Sequence, residues 1–230
     1  MAIYITGDTH REFERIFEFA EENGTTEEDI LIILGDSGIN YLGDINDRQL
    51  KRELSQLPLT LLCIKGNHDR PVEELDEYEE IEWNDGTVYR ENDFPNLLFA
   101  KDGSVYTLQR KKAIVIGGAY SVDKYYRLYH GLPWFPDEQP SDEIKDYVES
   151  QLDKCGWKVD CVLSHTVPIS YEPVWAFIPG IDQSSIDKST ERWLQEIEDK
   201  LTYDEWYAGH YHVDSQEGPI RIMFEDYEEL

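Results

Sequence analysis

Residues 30–36 read Ile-Leu-Ile-Ile-Leu-Gly-Asp, a run of apolar residues that ends in a glycine and an aspartate. A short apolar run bounded by turn residues is typical of a strand buried in a parallel sheet. The pattern recurs, since residues 2–5 precede Gly7-Asp8 and residues 59–64 precede Gly66-Asn67. Open α/β sheets bind ligands beyond the carboxyl ends of such strands. We therefore expect polar residues to gather at one edge of a sheet.

Helical and strand-like patterns fill most of the remaining chain. Helical spacing of apolar residues follows the first strand, with Gly24 as a stop, and recurs in residues 44–57, 141–152 and 193–201. Short strand-like runs occur at residues 87–89, 97–100, 105–108, 113–116, 159–163, 206–208 and 220–224. Turn residues separate the runs between residues 87 and 116, which favours antiparallel pairing there. No repeat or linker divides the chain, so residues 1–230 are predicted to form one domain.

Composition and charge narrow the classes of function. The 230 residues include 40% hydrophobic residues, enough to fill a core, and carry a formal net charge of −28. A charge of this sign repels phosphate backbones, so nonspecific nucleic-acid binding is not expected. Acidic residues concentrate in residues 73–82 and 225–229, which we interpret as an exposed face and an acidic tail.

The cysteines and the apolar segments indicate the cellular setting. Cys63, Cys155 and Cys161 cannot all pair, and two of them lie in apolar runs, so we interpret all three as free thiols. The first residues include neither a basic segment nor a long apolar stretch, and no window reaches the length of a membrane span. We expect a soluble cytoplasmic protein that does not interact with membranes.

Residues 120–140 are crowded with aromatic residues and proline. The segment is too irregular to predict a helix or strand, so we expect an ordered loop that borders the substrate. Its aromatic side chains favour packing within the loop over stacking on nucleic-acid bases. His130 lies in this segment and is assigned to it as an ordinary loop residue.

The other five histidines lie in four short blocks, each of which follows a short apolar run. The blocks are Asp8-Thr9-His10, Gly66-Asn67-His68-Asp69, Ser164-His165 and Gly209-His210-Tyr211-His212, and Gly35-Asp36 forms a fifth. We call these the five polar blocks. Their carboxylate, imidazole and amide groups suit Mn²⁺, Fe or Zn²⁺ and argue against a structural zinc site built on cysteine. His165 alone would indicate an ordinary residue, but five blocks at strand ends predict a metal site.

In this order, the five polar blocks resemble the motifs of the calcineurin-like metallophosphoesterases, which include protein Ser/Thr phosphatases and many bacterial and phage phosphoesterases. The resemblance spans residues 8–212. It implies an α/β fold, a four-layer αββα sandwich of two mixed sheets in a single domain, and two divalent metal ions, with Mn²⁺ as the first expectation. By this resemblance Asp8, His10 and His212 would hold one ion, Asn67, His165 and His210 would hold the other, and Asp36 would bridge them.

The resemblance also implies hydrolysis of phosphate esters. A hydroxide bridging two divalent ions is a strong nucleophile at neutral pH, because the metals lower the pKa of the water. It would attack phosphorus in line, and His68 would protonate the leaving group as a general acid. The substrate would be a phosphorylated small molecule, a nucleotide or a phosphoprotein. Asp69, next to His68, is either an orienting carboxylate or an exposed acid in a turn.

The sequence departs from the family pattern at two places. Protein phosphatases of the family usually continue the block that corresponds to Gly35-Asp36 as GDxVDRG, whereas residues 35–40 read GDSGIN. Ile39 and Asn40 thus replace the Asp that orients the general acid and the Arg that grips phosphate, which argues against protein-phosphatase activity. The first block usually continues with Gly, but here Arg11 follows His10. Arg11 and Arg70, which directly follow two of the blocks, are the predicted substrate-binding cations.

Two alternatives remain open from the sequence. One is a phosphodiesterase or a dinucleotide-polyphosphate hydrolase, because the same nucleophile serves these reactions and groove shape decides between them. The other is a noncatalytic protein-binding platform on the same fold. Loss of catalysis would be expected to remove metal ligands or the acid histidine, and both are present. A serine nucleophile is not expected, because Ser164 and His165 are adjacent on a strand and point to opposite faces.

Overall fold

Each apolar run that precedes a polar block forms a strand in the structure, a computed structural model that describes residues 1–177, 179–180 and 182–230. In chain order the strands are β1 (Ile3–Thr6), β2 (Ile30–Ile33), β3 (Thr60–Cys63), β4 (Tyr78–Trp83), β5 (Gly86–Glu91), β6 (Leu97–Ala100), β7 (Val105–Leu108), β8 (Lys111–Ile116), β9 (Cys161–Ser164), β10 (Glu205–Ala208), β11 (Ser215–Glu217), β12 (Ile220–Ile222) and β13 (Glu228–Glu229). The helices are α1 (Glu14–Asn23), α2 (Ile45–Leu54), α3 (Lys124–His130), α4 (Asp142–Lys154) and α5 (Ser189–Glu198).

The strands form two mixed sheets. The first sheet has the order β13-β1-β2-β3-β6-β5-β4, and the second has the order β11-β12-β10-β9-β8-β7. In the first sheet β1, β2, β3 and β6 run parallel, while β4 and β5 add an antiparallel edge. In the second, β8, β9, β10 and β12 run parallel. The parallel strands deliver the polar blocks at their carboxyl ends, as the sequence predicts.

Three apolar clusters define four layers. Between the two sheets lies a cluster that includes Ile32, Leu62, Val115 and Leu163. The outer face of the first sheet is covered by α1 and α2, which contribute Ile16 and Leu54 among other residues. The outer face of the second sheet is covered by α4 and α5, with Val148, Leu152, Trp193 and Leu194 in the third cluster. The predicted αββα sandwich of two mixed sheets is therefore confirmed.

Residues 120–140 differ from the sequence-based expectation of a loop, and the two acidic segments include strands. Residues 120–140 contain the helix α3, which ends at Gly131 in the left-handed conformation with φ of 66°. This helix has no buried residue, so it lacks the apolar stripe by which a helix is recognised. The acidic run at 73–82 includes the edge strand β4, paired antiparallel with β5. The acidic tail ends in β13, which pairs antiparallel with β1 through Tyr4 and Glu229.

The cysteines agree with the prediction of free thiols. Cys63 and Cys161 are buried, Cys155 is partly buried, and none of the three forms a disulfide. Burial raises the pKa of the Cys63 and Cys161 thiols well above the usual range, which keeps them protonated and unreactive. Of the helices that the structure describes, none combines the length and the apolar character needed to cross a membrane.

Candidate metal centre

The polar blocks adopt a backbone conformation that L-residues rarely use. Positive φ angles occur at His10 (45°), Arg11 (72°), Asp36 (48°), His210 (72°) and His212 (52°). At residues 84–85 and 109–110 this conformation is explained by tight hairpin turns. At the blocks, no hairpin requires it. Non-glycine residues held in this region store strain of about 1–3 kcal/mol each and concentrate at functional sites.

The first group of donor atoms surrounds Asp8. The Nε2 atom of His212 lies 3.3 Å from Asp8 Oδ2, and the Nε2 atom of His10 lies 3.6 Å from the same oxygen. The two imidazole nitrogens are 2.8 Å apart. Asp8 Oδ2 is buried and has no hydrogen-bond partner among the described residues. One carboxylate and two imidazoles thus converge with donor atoms within 4.8 Å of one another, a spacing that a metal ion could bridge.

The second group of donor atoms surrounds His165, which is completely buried. Its Nδ1 atom lies 2.7 Å from the carbonyl oxygen of Leu34, which can only accept, so Nδ1 donates to this oxygen. Its Nε2 atom faces Asn67 Oδ1 at 2.8 Å, while Asn67 Nδ2 donates to Ser121 Oγ. An imidazole nitrogen and an amide oxygen thus point toward the same space.

Asp36 lies between the two groups. Its Oδ1 atom is 3.6 Å from His165 Nε2, and its Oδ2 atom is 3.9 Å from His10 Nε2. Oδ1 also accepts a hydrogen bond from the backbone N–H of His68 at 2.7 Å, and Asp8 Oδ1 accepts one from the backbone N–H of His210 at 2.9 Å. Backbone amides therefore fix one oxygen of each carboxylate. The other oxygen of each faces the centre.

His210 completes the site on the side of His165. The centroids of the two rings are 5.0 Å apart, and burial, with the neighbouring His165 as the next cause, lowers the pKa of His210 to about 3. A pKa in this range keeps the ring neutral at physiological pH. His210 therefore offers a nitrogen lone pair to the centre rather than a positive charge.

Glycine residues of the blocks allow these close approaches. A Cβ atom at Gly66 would lie 2.0 Å from Asp36 Oδ1, and a Cβ atom at Gly209 would lie 2.3 Å from Asp8 Oδ1. Any side chain at either position would displace a carboxylate of the centre. The glycine that opens one block thus makes room for the acidic residue of another.

The two carboxylates influence each other strongly. Burial raises the pKa of Asp8, but the close contact with His212 and the other nearby imidazoles outweigh burial and bring the pKa well below its usual range. For Asp36, burial and then the negative charges of Asp8 and Asp69 raise the pKa well above its usual range. Two buried carboxylates in one site repel each other, and bound cations would relieve this repulsion.

His68 lies at the rim of the centre and contacts helix α3. Its Nε2 atom is 3.9 Å from Asp36 Oδ2, 3.7 Å from Asp123 Oδ1 and 3.5 Å from Arg127 Nη2. Burial, followed by the positive charge of Arg127, lowers the pKa of the imidazole. Asp123 and Arg127 are absent from the sequence-based site. The spacing Asp123-x-x-x-Arg127 followed by Gly131, a helical ion pair with a C-terminal glycine, is the signal that could have located them.

The structure separates the two arginines predicted to bind substrate. Arg11 lines the central cavity, where its Nη1 atom donates to Asp47 Oδ1 at 2.5 Å and to the carbonyl oxygen of Gly38 at 2.6 Å. Arg70 is not among the residues that line the cavity, and its guanidinium lies 5.8 Å from the centroid of the Phe135 ring. Sequence proximity to His68 therefore does not bring Arg70 to the site.

Asp69 follows neither of the two sequence-based interpretations. It is buried, and its carboxylate accepts hydrogen bonds from the backbone N–H groups of Gly66 and Gly38, at 2.9 Å in both cases, and from Ser37 Oγ at 3.2 Å. The side chain of Asp69 thus joins residues 37–38, which follow Gly35-Asp36, to Gly66 at the start of its own block. Asp69 is thus a structural clamp beneath the site and not an exposed acid in a turn.

A cavity of about 780 Å³ opens from the donor groups. Its walls include His10, His68, His210 and His212, and also Tyr41, Tyr120, Arg127, Phe177 and Glu191. A phosphoryl group fills only a small part of this volume. The cavity can therefore accommodate a phosphate ester together with a sizeable organic group.

Fold and site together define a metal-binding protein of the αββα class. The chain belongs to the calcineurin-like phosphoesterase family, whose model matches residues 1–214. This membership makes it a phosphoesterase-type hydrolase of a family that generally uses two divalent metals. Among curated proteins, none is similar enough in sequence to count as a match.

Among solved structures, the fold is shared at low sequence identity by the first of the three that follow. The structure of TT1561 of Thermus thermophilus has a TM-score of 0.53 and 13% identity, covering 99% of this chain and 97% of that one. A structure described as a novel archaeal phosphodiesterase has a TM-score of 0.40 and 11% identity, covering 100% of this chain and 99% of that one. A protein of unknown function, AQ665 from Aquifex aeolicus, has a TM-score of 0.37 and 17% identity, covering 74% of this chain and 81% of that one.

Proposed function

We propose that this chain hydrolyses phosphate esters with two divalent ions held by the five polar blocks. The observation that carries the proposal is the buried Oδ2 atom of Asp8, which has no hydrogen-bond partner among the described residues and lies beside two imidazoles. A buried acceptor in this state is costly unless a cation is bound to it. Membership of the calcineurin-like phosphoesterase family supports the same chemistry.

The donor atoms support a division into two ion sites. Asp8, His10 and His212 would hold one ion, and Asn67, His165 and His210 would hold the other. Asp36 would bridge the ions, because its Oδ1 atom lies 3.6 Å from His165 Nε2 and its Oδ2 atom lies 3.9 Å from His10 Nε2. Two divalent ions with two carboxylates leave a formal surplus of two positive charges, which attracts a phosphate group despite the acidic surface.

Residues of the chain would carry out the remaining chemistry. When bound, the ions would supply a hydroxide nucleophile at neutral pH and would offset the charge on the phosphoryl oxygens, which lowers the barrier by several kcal/mol. His68 would donate a proton from its imidazole to the leaving oxygen. A phosphoryl group next to His68 brings negative charge, which raises the pKa of the imidazole and favours its acidic form.

Mn²⁺ is the first choice for the ions, with Fe or Zn²⁺ as further choices, and the donor set alone does not decide between them. Imidazole, carboxylate and amide groups bind all three, and Zn²⁺ binds more tightly than Mn²⁺ to most sites. Metal availability, rather than affinity, would therefore favour Mn²⁺. Metal analysis of the protein purified without added metal would identify the resident ions.

The size of the cavity favours phosphodiesters as a second substrate class. A diester carries two organic groups, and the volume of about 780 Å³ leaves room for both. A dinucleotide polyphosphate or a nucleotide belongs to the same size range, as does a phosphorylated small molecule. The cavity favours large phosphoproteins less as substrates, because most of such a substrate would remain outside it.

The test begins with removal of the metals by a chelator and restoration of Mn²⁺. The metal-free protein should lose hydrolysis of p-nitrophenyl phosphate and of its bis ester, and Mn²⁺ should restore it. The ratio of the two rates then distinguishes monoesterase from diesterase activity. Hydrolysis that persists in chelator would contradict the proposed mechanism. Stoichiometric Mn²⁺ binding without turnover of any phosphate ester would favour a noncatalytic protein-binding platform.

A further inference from the structure

We infer that Arg127 on α3 binds the phosphoryl oxygens of the substrate beside His68, and that Asp123 and Tyr41 position it for this role. The inference rests on the proposed phosphoesterase function, because it requires a phosphoryl group at the donor cluster. Arg127 would then take the substrate-binding role that the sequence analysis predicted for Arg11 and Arg70.

The guanidinium of Arg127 is fixed on two of its three nitrogens. Nε donates to Asp123 Oδ2 at 2.7 Å, and Nη1 donates to the hydroxyl of Tyr41 at 2.6 Å and to the carbonyl oxygen of Pro133 at 3.4 Å. The third nitrogen, Nη2, lies 3.5 Å from His68 Nε2 and has no oxygen acceptor among the described residues. Nη2 carries two N–H bonds and His68 Nε2 can accept only one of them, so at least one N–H remains free for a ligand in the cavity.

The position of Nη2 suits the oxygens of a phosphoryl group. His68 Nε2 lies 3.5 Å from Arg127 Nη2 and 3.9 Å from Asp36 Oδ2, so the guanidinium borders the same space as the proposed metal bridge. A planar guanidinium binds phosphate oxygens through directed N–H donors. Only 14% of the Arg127 side chain is exposed, so water screens this interaction weakly.

The other basic side chains of the cavity wall, Arg11 and Lys188, donate to neighbouring residues, and among the described residues neither forms a hydrogen bond or an ion pair with His68. Arg11 is paired with Asp47 and Gly38, and Lys188 Nζ lies 2.8 Å from Glu172 Oε2. Arg127 is also paired, with Asp123, but through its Nε edge alone. Its Nη2 group remains available on the side that faces the proposed reacting centre.

The ion pair with Asp123 sets how Arg127 acts. The pair has a formal net charge of zero, so it offers directed hydrogen bonds more than an attractive field. Such donors stabilise charge that develops in the transition state, and their removal lowers kcat by about 10²–10³-fold in comparable sites. Asp123 Oδ1 is buried, lacks a partner among the described residues and lies 3.7 Å from His68 Nε2, so Asp123 also borders the acid.

The experiment compares Arg127→Ala with Arg90→Ala in the Mn²⁺-loaded protein. Arg90 is a suitable control because it forms a surface ion pair with Glu79 away from the cavity. We expect Arg127→Ala to lower kcat for p-nitrophenyl phosphate by about 100-fold, with Tm and metal content unchanged. The loss should be smaller for the bis ester, which carries one negative charge fewer. Added guanidinium should restore part of the activity of Arg127→Ala alone.

Two further measurements keep the inference separate from the proposed function. Inorganic phosphate should inhibit Arg127→Ala more weakly than the wild type. Arg127→Lys should recover less than half of the lost activity, because the lysine ammonium group lacks the planar, directed N–H donors of the guanidinium. Activity of Arg127→Ala within twofold of Arg90→Ala would overturn the inference. If the wild type hydrolyses no phosphate ester, the proposed function fails, and calorimetric binding of inorganic phosphate to both variants then decides the role of Arg127.

Discussion

The polar blocks and helix α3 face the same cavity but are held in place by different means. The blocks follow buried parallel strands, and their side chains approach one another so closely that Gly66 and Gly209 admit no Cβ atom. Helix α3 buries none of its residues in the core and is attached through contacts such as that of Arg127 with Tyr41. The sheet edge therefore provides a closely packed donor cluster. The helix adds side-chain contacts from the surface.

The comparison predicts that changes in the donor cluster have larger effects than changes in α3. A donor at the sheet edge acts directly on the ions and has no substitute nearby. A contact of α3 acts on substrate orientation, and the neighbouring contacts retain part of its effect.

Replacement of Asp36→Asn should have the largest effect on activity. The amide keeps the size of the side chain but removes the negative charge proposed to bridge the two ions. Loss of an outer contact to a metal ligand already lowers activity about 10–100-fold, so loss of the bridge itself should lower kcat by more than about 100-fold. Elemental analysis should show fewer than two bound ions for each chain. Full metal content with wild-type kcat would contradict the assignment of Asp36.

Replacement of His68→Ala should have an effect that depends on the leaving group. General acids contribute about 10²–10⁴-fold to rate, and the contribution grows as the leaving oxygen becomes more basic. We therefore expect a loss of about 100-fold or more for an alkyl phosphate and a much smaller loss for p-nitrophenyl phosphate. The measurement is kcat for a series of esters with increasing leaving-group pKa. Equal losses across the series would remove His68 from the role of acid.

Most of the donor cluster could be predicted from the sequence, and the physical reason is local. A buried strand has a recognisable apolar run, and the residues that follow the run lie at the carboxyl end of the strand. Asp8, Asp36 and Asn67 could therefore be located without knowledge of the packing. The expectation that two sheets share this edge came from the family resemblance. The structure brings His165 and His210 to the same cluster from the second sheet.

The surroundings of His68 could not be predicted in the same way. Arg70 is two residues from His68 in the sequence, yet its guanidinium packs against Phe135, whereas Arg127 reaches His68 from a distant helix. Helix α3 has no apolar stripe, because it lies on the surface, and periodicity therefore gave no signal for it. Tertiary contacts, which sequence spacing does not report, decide which arginine borders the site.

Helix α5 also contributes to the cavity. It packs in the core through residues such as Trp193 and Leu194, and it carries Glu191 at the cavity wall. Burial raises the pKa of Glu191 to about 7 from an ordinary value of 4.5, although the hydroxyl of Thr166 donates to it. The folded state therefore binds more protons than the unfolded state between pH 4.5 and 7. The stability that protonated Glu191 provides is complete below pH 4.5 and is lost as the pH rises through about 7.

Replacement of Glu191→Gln should remove this dependence on pH. Relative to the wild type, the free energy of unfolding of the variant should increase by about 3 kcal/mol between pH 4.5 and pH 8. Urea denaturation at the two pH values measures the difference, and Glu196→Gln, at an exposed position of the same helix, serves as the control. Parallel pH profiles for wild type and Glu191→Gln would show that the buried carboxyl is not protonated in the folded protein.

Replacement of Tyr41→Phe should have the smallest effect, because it removes one hydrogen bond and leaves Arg127 bound to Asp123. A hydrogen bond to a charged group contributes about 1.5–3 kcal/mol at most, and the carbonyl oxygen of Pro133 offers a second acceptor for the same nitrogen. We therefore expect kcat/KM for p-nitrophenyl phosphate to fall about three- to tenfold, with Tm unchanged. Tyr129→Phe, at an exposed position of α3, is the matched control and should behave as the wild type. If Tyr41→Phe also behaves as the wild type while Arg127→Ala does not, Asp123 alone positions the guanidinium, and the contact between α3 and Tyr41 serves only to hold the helix.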